Sequence, residues 1–118
     1  MAFKLRRQSG GFKYSGNVKI NRTPLDKGTI AEANMDGSIS VDPSVKPNSP
    51  LYKRVMKHEM QHINDMESGR AAYGDTWVHW EGRTYMRNNG IIDGPNGSWP
   101  EGHPNHPWEA EAIAAEKQ

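Results

Sequence analysis

The stretch "SPLYKRVMKHEMQHINDMESG", residues 49–69, has the features of a single helix. Ser49 is a favourable N-cap residue, Pro50 suits the first helical position, and Gly69 is typical of the position after a helix. Apolar residues recur between these ends at steps of three and four: Tyr52, Val55, Met56, Met60, Ile63 and Met66. The pattern predicts a helix over residues 50–68 with an apolar side that a small domain buries.

The same helix carries His58, Glu59 and His62. Because a helix turns about 100° per residue, the two histidines lie one turn apart on one face, and both imidazoles can reach a single ion. Glu59 is rotated from both, which leaves its carboxylate free to hydrogen-bond a metal-bound water. This is the HExxH arrangement of zinc metallopeptidases. The stretch therefore predicts a Zn²⁺ site with His58 and His62 as ligands and Glu59 as general base.

Length and composition limit the number of domains and the kinds of metal site that the chain can form. A chain of 118 residues predicts one domain, residues 1–118, around a modest core. Because there is no cysteine, thiolate nucleophiles and cysteine-ligated zinc are excluded, and a metal site must use His, Asp or Glu. There is no apolar run that would serve as an export signal or a membrane span, so we expect no membrane partner and an intracellular, cytoplasmic location.

The first 22 residues form a basic segment. They contain six basic residues and no acid, although the net charge of the chain is only +1: Lys4, Arg6, Arg7, Lys13, Lys19 and Arg22. We expect residues 1–22 to be a solvated, partly disordered arm. Contact with an anionic partner is the alternative, but no RNA-binding motif or zinc finger supports nucleic acid as that partner.

The segments around the helix predict an α+β domain with a small sheet. "DGSISVDP", residues 36–43, predicts a short strand, and "TWVHWEGRTYMR", residues 76–87, predicts a hairpin. Residues 88–107 are so rich in Asn, Gly and Pro that we expect an irregular loop that acts as a mobile cover of the site. A last helix is expected to begin at Pro107.

A catalytic zinc needs a third protein ligand. The metzincin pattern requires a glycine and a histidine where this chain has Asp65 and Ser68, so that subclass is excluded. The last helix offers Glu109 and Glu111, whose side chains point about 200° from each other, so only one of them can face the ion. Periodicity alone does not decide between them. Three further histidines are candidates that we expect to be solvated: His79, His103 and His106.

"HEMQH", followed downstream by "WEAEAIAAE", resembles a minimal gluzincin-type zinc metallopeptidase, in which a second helix brings a glutamate to the metal. Gluzincins of this kind tend to place alanine three residues after that glutamate, and Ala112 stands there relative to Glu109. The resemblance therefore implies that Zn²⁺ is held by His58, His62 and Glu109. Glu111 is then left to solvent or to a contact outside the ligand set.

The resemblance also implies a zincin-like fold, with a small antiparallel or mixed sheet packed on the HExxH helix, a hairpin and a C-terminal helix. The order of these elements is similar to that of bacteriophage-encoded peptidases, which adds a virion-associated location as an alternative. Gluzincins often carry Asp or Asn four residues after the glutamate ligand to orient a ligating histidine. This chain has Ile113 there, so any such partner comes from elsewhere.

These features predict zinc-dependent hydrolysis of a peptide or protein substrate. The alternative is a non-catalytic virion-assembly or binding module whose zinc is structural or lost. A peptidase also needs a donor for the tetrahedral oxyanion, for which the chain offers Tyr73, Tyr85, Arg83 or a loop histidine. We expect Tyr85 to pack in the core with its hydroxyl outward. We also expect the four tryptophans to build the core: Trp77, Trp80, Trp99 and Trp108.

Overall fold

The computed structural model describes the backbone of residues 2–6 and all of residues 18–118. In these ranges the fold is α+β, as the sequence predicts, with two sheets and two helices. The elements in chain order are β1 (Ala2–Arg6), β2 (Ile20–Arg22), β3 (Thr29–Asn34), β4 (Ile39–Val41), α1 (Pro50–Glu67), β5 (Ala71–Tyr73), β6 (Trp77–Trp80), β7 (Arg83–Asn88), β8 (Ile91–Gly94), β9 (Gly97–Pro100) and α2 (Pro107–Ala115). Within the described ranges, neither helix has the length and apolar character needed to cross a membrane.

The helix α1 is the one that the sequence predicts, one residue shorter at its end. The Ser49 hydroxyl oxygen accepts a hydrogen bond from the backbone N–H of Tyr52 at 3.1 Å, which satisfies one of the free donors of the first turn. Gly69 follows the helix with φ +79°, a left-handed conformation that glycine adopts without strain.

The first sheet has the strand order β1-β3-β4-β2 and supports α1. Its central pair, β3 and β4, is antiparallel, whereas each outer strand runs parallel to its neighbour. Ala31 of β3 packs against Val55 of α1. Ile39 and Val41 of β4 share a buried cluster with Ile63 of α1. This mixed sheet therefore forms one wall of the core beneath the helix that carries the histidines.

The basic N-terminal segment requires the first correction. Residues 2–6 and 20–22 form β1 and β2, the two outer strands of the first sheet, where the sequence predicted a partly disordered arm. Edge strands commonly carry charged residues, which limit pairing with other chains, so a basic composition is compatible with a strand there. Residues 1 and 7–17 of the predicted arm lie outside the described residues, and residues 18–19 have no regular secondary structure.

The second sheet is an antiparallel meander, β5-β6-β7-β8-β9. The predicted hairpin is its β6–β7 pair, and Glu81 and Gly82 form the turn with φ +49° and +84°, as two-residue hairpin turns require. One face of the sheet contributes Val78, Trp80 and Ile92 to the core. The second sheet thereby closes the core on the side of α2.

Residues 88–107 require the second correction. β8 and β9 form a further hairpin within this range, so the prediction of an irregular covering loop is wrong over residues 91–100. Asn89 and Gly90, with φ +51° and +78°, make the tight turn that joins β7 to β8. The Asn, Gly and Pro residues therefore mark turns between short strands, and Ile92 and Trp99 are paired across the hairpin.

This hairpin gives a stability prediction. Ile92→Ala is expected to lower the free energy of unfolding by about 2–4 kcal/mol, because a buried isoleucine leaves a cavity. Ile91→Ala removes the same atoms one residue earlier and should cost less than about 0.5 kcal/mol. Ile92 is 1% exposed and Ile91 is 40% exposed. Urea unfolding of both variants measures the difference, and equal losses would contradict the register of β8.

Candidate metal centre

The helices α1 and α2 bring His58, His62 and Glu109 to one point. The Nε2 atoms of the two histidines lie 3.0 Å and 3.1 Å from the same carboxylate oxygen, Oε1 of Glu109. One donor atom from each residue lies within 4.8 Å of the other two. All three side chains are fully buried. The structure therefore brings together the three residues that the sequence analysis names as candidate ligands.

The ligand types in this group fit a metal ion, and zinc is one that such ligands bind. Two imidazole nitrogens and one carboxylate oxygen are the three-ligand set of several catalytic zinc sites, in which the ligands lie about 2.0–2.1 Å from the ion. Tetrahedral coordination at that length separates neighbouring ligand atoms by roughly 3.3–3.5 Å. The two Nε2–Oε1 separations are slightly shorter than this value, so both would have to lengthen to hold an ion.

A group of aromatic rings fixes the first turn of α2, where Glu109 lies. Trp108 is fully buried, and its ring centroid lies 5.8 Å from that of Trp80 and 4.8 Å from that of His106. The imidazole of His106 lies nearly parallel to the indole, at an interplanar angle of 8°. The rings anchor the residue beside Glu109, so the carboxylate is held towards α1.

The charges within the group support one another. Burial raises the pKa of Glu109, but the charges and hydrogen bonds of His62 and His58 outweigh it and lower that pKa to about 2. Burial lowers the pKa of His62, but the negative charges of Glu109, Glu59 and Asp65 raise it to about 9. Both pKa shifts describe an ion pair between the Glu109 carboxylate and a protonated His62 in the metal-free protein, and a bound cation would displace the His62 proton.

Glu59 lies on α1 beside this group and is also fully buried. Neither of its carboxylate oxygens has a hydrogen-bond partner. Burial raises its pKa to about 8, against the opposing effect of His62, and the nearby carboxylates of Glu109 and Glu32 raise it further. A buried carboxyl group without partners is costly, and a catalytic role or a bound water or ion is a common reason for one.

Glu116 is a residue of the site that sequence reasoning did not assign. Its Oε2 lies 2.8 Å from Nδ1 of His58, and its Oε1 lies 3.4 Å from Nε of Arg54. When Nε2 of His58 binds a metal ion, Nδ1 carries the proton and donates a hydrogen bond to Glu116. Glu116 follows Glu109 by seven residues, about two helical turns, so both glutamates lie on the same face of α2. That periodicity is the sequence signal for Glu116.

Glu111 lies outside the cluster of His58, His62 and Glu109. Its two carboxylate oxygens each accept a hydrogen bond from Arg70 at 2.8 Å. Arg70 also donates to Glu81 at 3.0 Å, and its guanidinium carbon lies 4.3 Å from the ring centroid of Trp80. Arg70 therefore connects α2 to the β6–β7 turn.

The three other histidines lie outside the group of His58, His62 and Glu109. His106 was expected to be solvated, and that expectation is wrong: it is fully buried, and its Nε2 lies 3.0 Å from the carbonyl oxygen of Trp99. His103 stacks on the Trp99 ring at 4.6 Å, and His79 lines a cavity on the second sheet with Trp77. Trp77 is 37% exposed, so it is not part of the core, and the expectation that it packs there is wrong.

The candidates for the oxyanion donor separate into two places. Tyr73 is 2% exposed and its hydroxyl has no hydrogen-bond partner. Burial raises the pKa of Tyr73 well above 10, and the negative charges of Glu109, Asp65 and Glu59 add to the effect. Arg83 and Tyr85 instead line a cavity of about 310 Å³ with Pro107 and residues of the β8–β9 turn. Tyr73 is therefore the candidate with a buried, unpartnered hydroxyl whose pKa the carboxylates of the site raise.

No protein-family model, no curated protein and no solved structure matches this chain. The chemistry of the buried group is consequently the basis for inferring a function.

Proposed function

We propose that this protein is a zinc metallopeptidase of the gluzincin type that hydrolyses peptide bonds in a peptide or protein substrate. The observation that carries the proposal is the convergence of His58 Nε2 and His62 Nε2 on one oxygen of Glu109. Glu59 is buried on the same helix with both oxygens unpartnered. The mixed sheet packed on α1, with a glutamate supplied by a second helix, supports a zincin-like fold.

Each residue has a role in this proposal. When bound, zinc lowers the pKa of a water molecule to about 7 and polarises the scissile carbonyl. His58, His62 and Glu109 would hold the ion, and Glu116 would fix the ring of His58 by accepting a hydrogen bond from its Nδ1–H. With the ion bound, Glu59 would accept a proton from the attacking water and pass it to the leaving amine. The Tyr73 hydroxyl is the assigned donor to the oxyanion.

One observation favours the alternative, a non-catalytic binding or virion-assembly module with structural zinc. The side chains of His58, His62 and Glu109 are fully buried, as is common for structural sites. Two features favour catalysis instead. The group supplies three protein ligands, whereas structural zinc sites almost always have four. The unpartnered carboxylate of Glu59 also has no role in a structural site.

The first prediction from the proposal concerns the metal. Protein purified without a metal-affinity tag is expected to contain about one zinc per chain and to cleave members of a proteome-derived peptide library. A chelator should stop the cleavage and added zinc should restore it, because the water is activated only by the ion. Elemental analysis and mass spectrometry of the digest measure both quantities.

Two control variants locate the metal. His58→Ala and His62→Ala should each lose zinc, and retention of the metal in both would remove the site assignment. Zinc bound at full occupancy without cleavage, together with a cobalt-substituted spectrum unaffected by a hydroxamate, would favour the structural alternative. A spectrum that shifts with the hydroxamate would show an open coordination position and support the peptidase.

A further inference from the structure

The second sheet carries a cavity of about 310 Å³ that has no role in the reaction as proposed. The cavity lies where the β6–β7 hairpin, the β8–β9 turn and Pro107, the first residue of α2, come together. We propose that it is a binding site for a carboxylate group of a peptide, and that Arg83 binds that carboxylate. The inference rests on the proposed function only for the choice of a peptide as ligand, because the cavity shares no residue with the metal group.

The first step concerns charge. Two charged residues line the cavity, Arg83 and Glu81. Glu81 is already engaged, since its Oε2 accepts hydrogen bonds from Nε and Nη2 of Arg70 at 3.2 Å and 3.0 Å. Arg83 is exposed, and its guanidinium makes no hydrogen bond or ion pair with another described residue. The cavity therefore presents a positive charge that the described residues do not balance, and a guanidinium can bind a carboxylate through two parallel hydrogen bonds.

The second step concerns the walls, which buried aromatic rings hold in place. Trp80 and Tyr85 line the cavity, and their ring centroids lie 5.8 Å and 6.4 Å from that of Trp108, which is fully buried. Trp80 and Arg83 stand directly opposite each other across the β6–β7 hairpin. One short hairpin therefore presents both the guanidinium and the two rings, so binding a ligand requires little rearrangement.

The β8–β9 turn, residues 95–96, is also fixed by contacts outside the cavity. Gly94 precedes the turn and lies so close to His106 that a Cβ atom there would stand 2.9 Å from Nδ1 of the imidazole. Nδ2 of Asn96 donates a hydrogen bond to the carbonyl oxygen of Asn105 at 3.1 Å. These contacts attach the turn to the segment that leads into α2, so this wall of the cavity is formed before a ligand binds.

The third step decides between an anionic and a cationic ligand. Aromatic rings can also bind a cation, but the guanidinium carbon of Arg70 already lies 4.3 Å from the ring centroid of Trp80. A further cation would be repelled by Arg83, and the carboxylate of Glu81 is already paired with Arg70. Small-molecule sites commonly have volumes of about 300–1,000 Å³, so this cavity fits a single residue of a peptide. The ligand is therefore an acidic side chain or a C-terminal carboxylate.

The experiment measures the binding of short peptides to the full-length Glu59→Gln protein, in which cleavage is expected to be slow. Three peptides with blocked ends differ only in a central glutamate, glutamine or lysine, and a fourth has neutral side chains and a free C-terminal carboxylate. One of the two carboxylate peptides should bind at least about tenfold more tightly than the glutamine peptide, because charge-assisted hydrogen bonds are roughly twice as strong as neutral ones. It should also shift the indole N–H signal of Trp80 in NMR spectra. The tighter of the two identifies the source of the carboxylate.

Two variants of Arg83 test its role in the same protein. Arg83→Gln should weaken binding of the preferred peptide at least about tenfold, to the level of the glutamine peptide. Arg83→Lys keeps the charge and loses the planar fork, so it should retain part of the affinity. Arg22→Gln is the matched control, since it makes the same change at an exposed arginine of the first sheet and should leave the affinity unchanged.

The inference is wrong if neither carboxylate peptide binds more tightly than the glutamine peptide, if the lysine peptide binds most tightly, or if Arg83→Gln leaves the affinity unchanged. Carboxylate binding that depends on Arg83, in a zinc-loaded wild type that cleaves no peptide, would refute the peptidase and support this inference. Peptide cleavage by wild type, together with no preference for a carboxylate in the binding experiment, would refute this inference and leave the peptidase intact.

Discussion

Glu59→Gln is expected to reduce peptide hydrolysis by at least about a hundredfold and to leave zinc binding intact. General-base assistance typically contributes 10²–10⁴ to the rate, and an amide has the shape of the carboxylate but does not accept the proton. Both oxygens of Glu59 are buried without a hydrogen-bond partner, so the substitution breaks no hydrogen bond of the folded protein. Turnover of a cleaved peptide and zinc content of the same sample measure the two effects separately.

Glu67→Gln is the matched control for this experiment. It makes the same chemical change on the same helix, but Glu67 is exposed, and its turnover should equal that of wild type. Loss of zinc from Glu59→Gln would make Glu59 a ligand, contrary to the rotation that separates it from His58 and His62. Unchanged turnover with zinc retained would make it a bystander and refute its role as general base.

The elements that the sequence predicts well are those with strong local signals. The helix α1 has a capping serine, a proline in its first turn and a glycine after its last residue, and each acts within a few residues of the helix end. β4 and the β6–β7 hairpin likewise have alternating apolar residues and recognisable turns. These structures follow from backbone geometry and short-range hydrogen bonds, so they need little knowledge of the rest of the chain.

β1, β2, β3, β5, β8 and β9 were not predicted, because their local signals are weaker than those of the predicted elements. β1 and β2 become strands by pairing with β3 and β4, contacts that a basic composition does not reveal. β8 and β9 are four residues each, between turns rich in Asn, Gly and Pro. In such a segment the turn residues outnumber the strand residues, so composition indicates a loop although the alternation indicates a hairpin.

The residues of the candidate site likewise divide into those that the sequence predicts and those that only the packed structure reveals. His58 and His62 are brought together by the helix alone, so their spacing was sufficient to predict a shared face. The burial of His106 depends on its contact with the carbonyl oxygen of Trp99 in β9, a strand that was not predicted. Glu116 acts across the contact between α1 and α2, and its role becomes visible only when the two helices are packed. Tertiary contacts therefore determine the positions of His106 and Glu116, which the HExxH motif does not reveal.

The second prediction with a large expected effect tests which glutamate of α2, Glu109 or Glu111, binds zinc. Loss of a residue that hydrogen-bonds a metal ligand typically weakens metal binding by about 10–100-fold. Glu109→Ala is expected to weaken zinc binding by more than this, because it removes a ligand itself. The substitution leaves the Nε2 atoms of His58 and His62 without the oxygen that lies 3.0 Å and 3.1 Å from them. A titration against a competing chelator measures the affinity.

Glu111→Ala is the matched control, since it shortens the same side chain one half-turn away on the same helix. Its carboxylate is 42% exposed and bound to Arg70, so removal should cost about 1 kcal/mol of stability or less and leave zinc affinity within about threefold of wild type. If Glu111→Ala loses the metal and Glu109→Ala retains it, the third ligand has been assigned to the wrong residue. His58, Glu59 and His62 would keep their roles even then, because their arrangement depends on α1 alone.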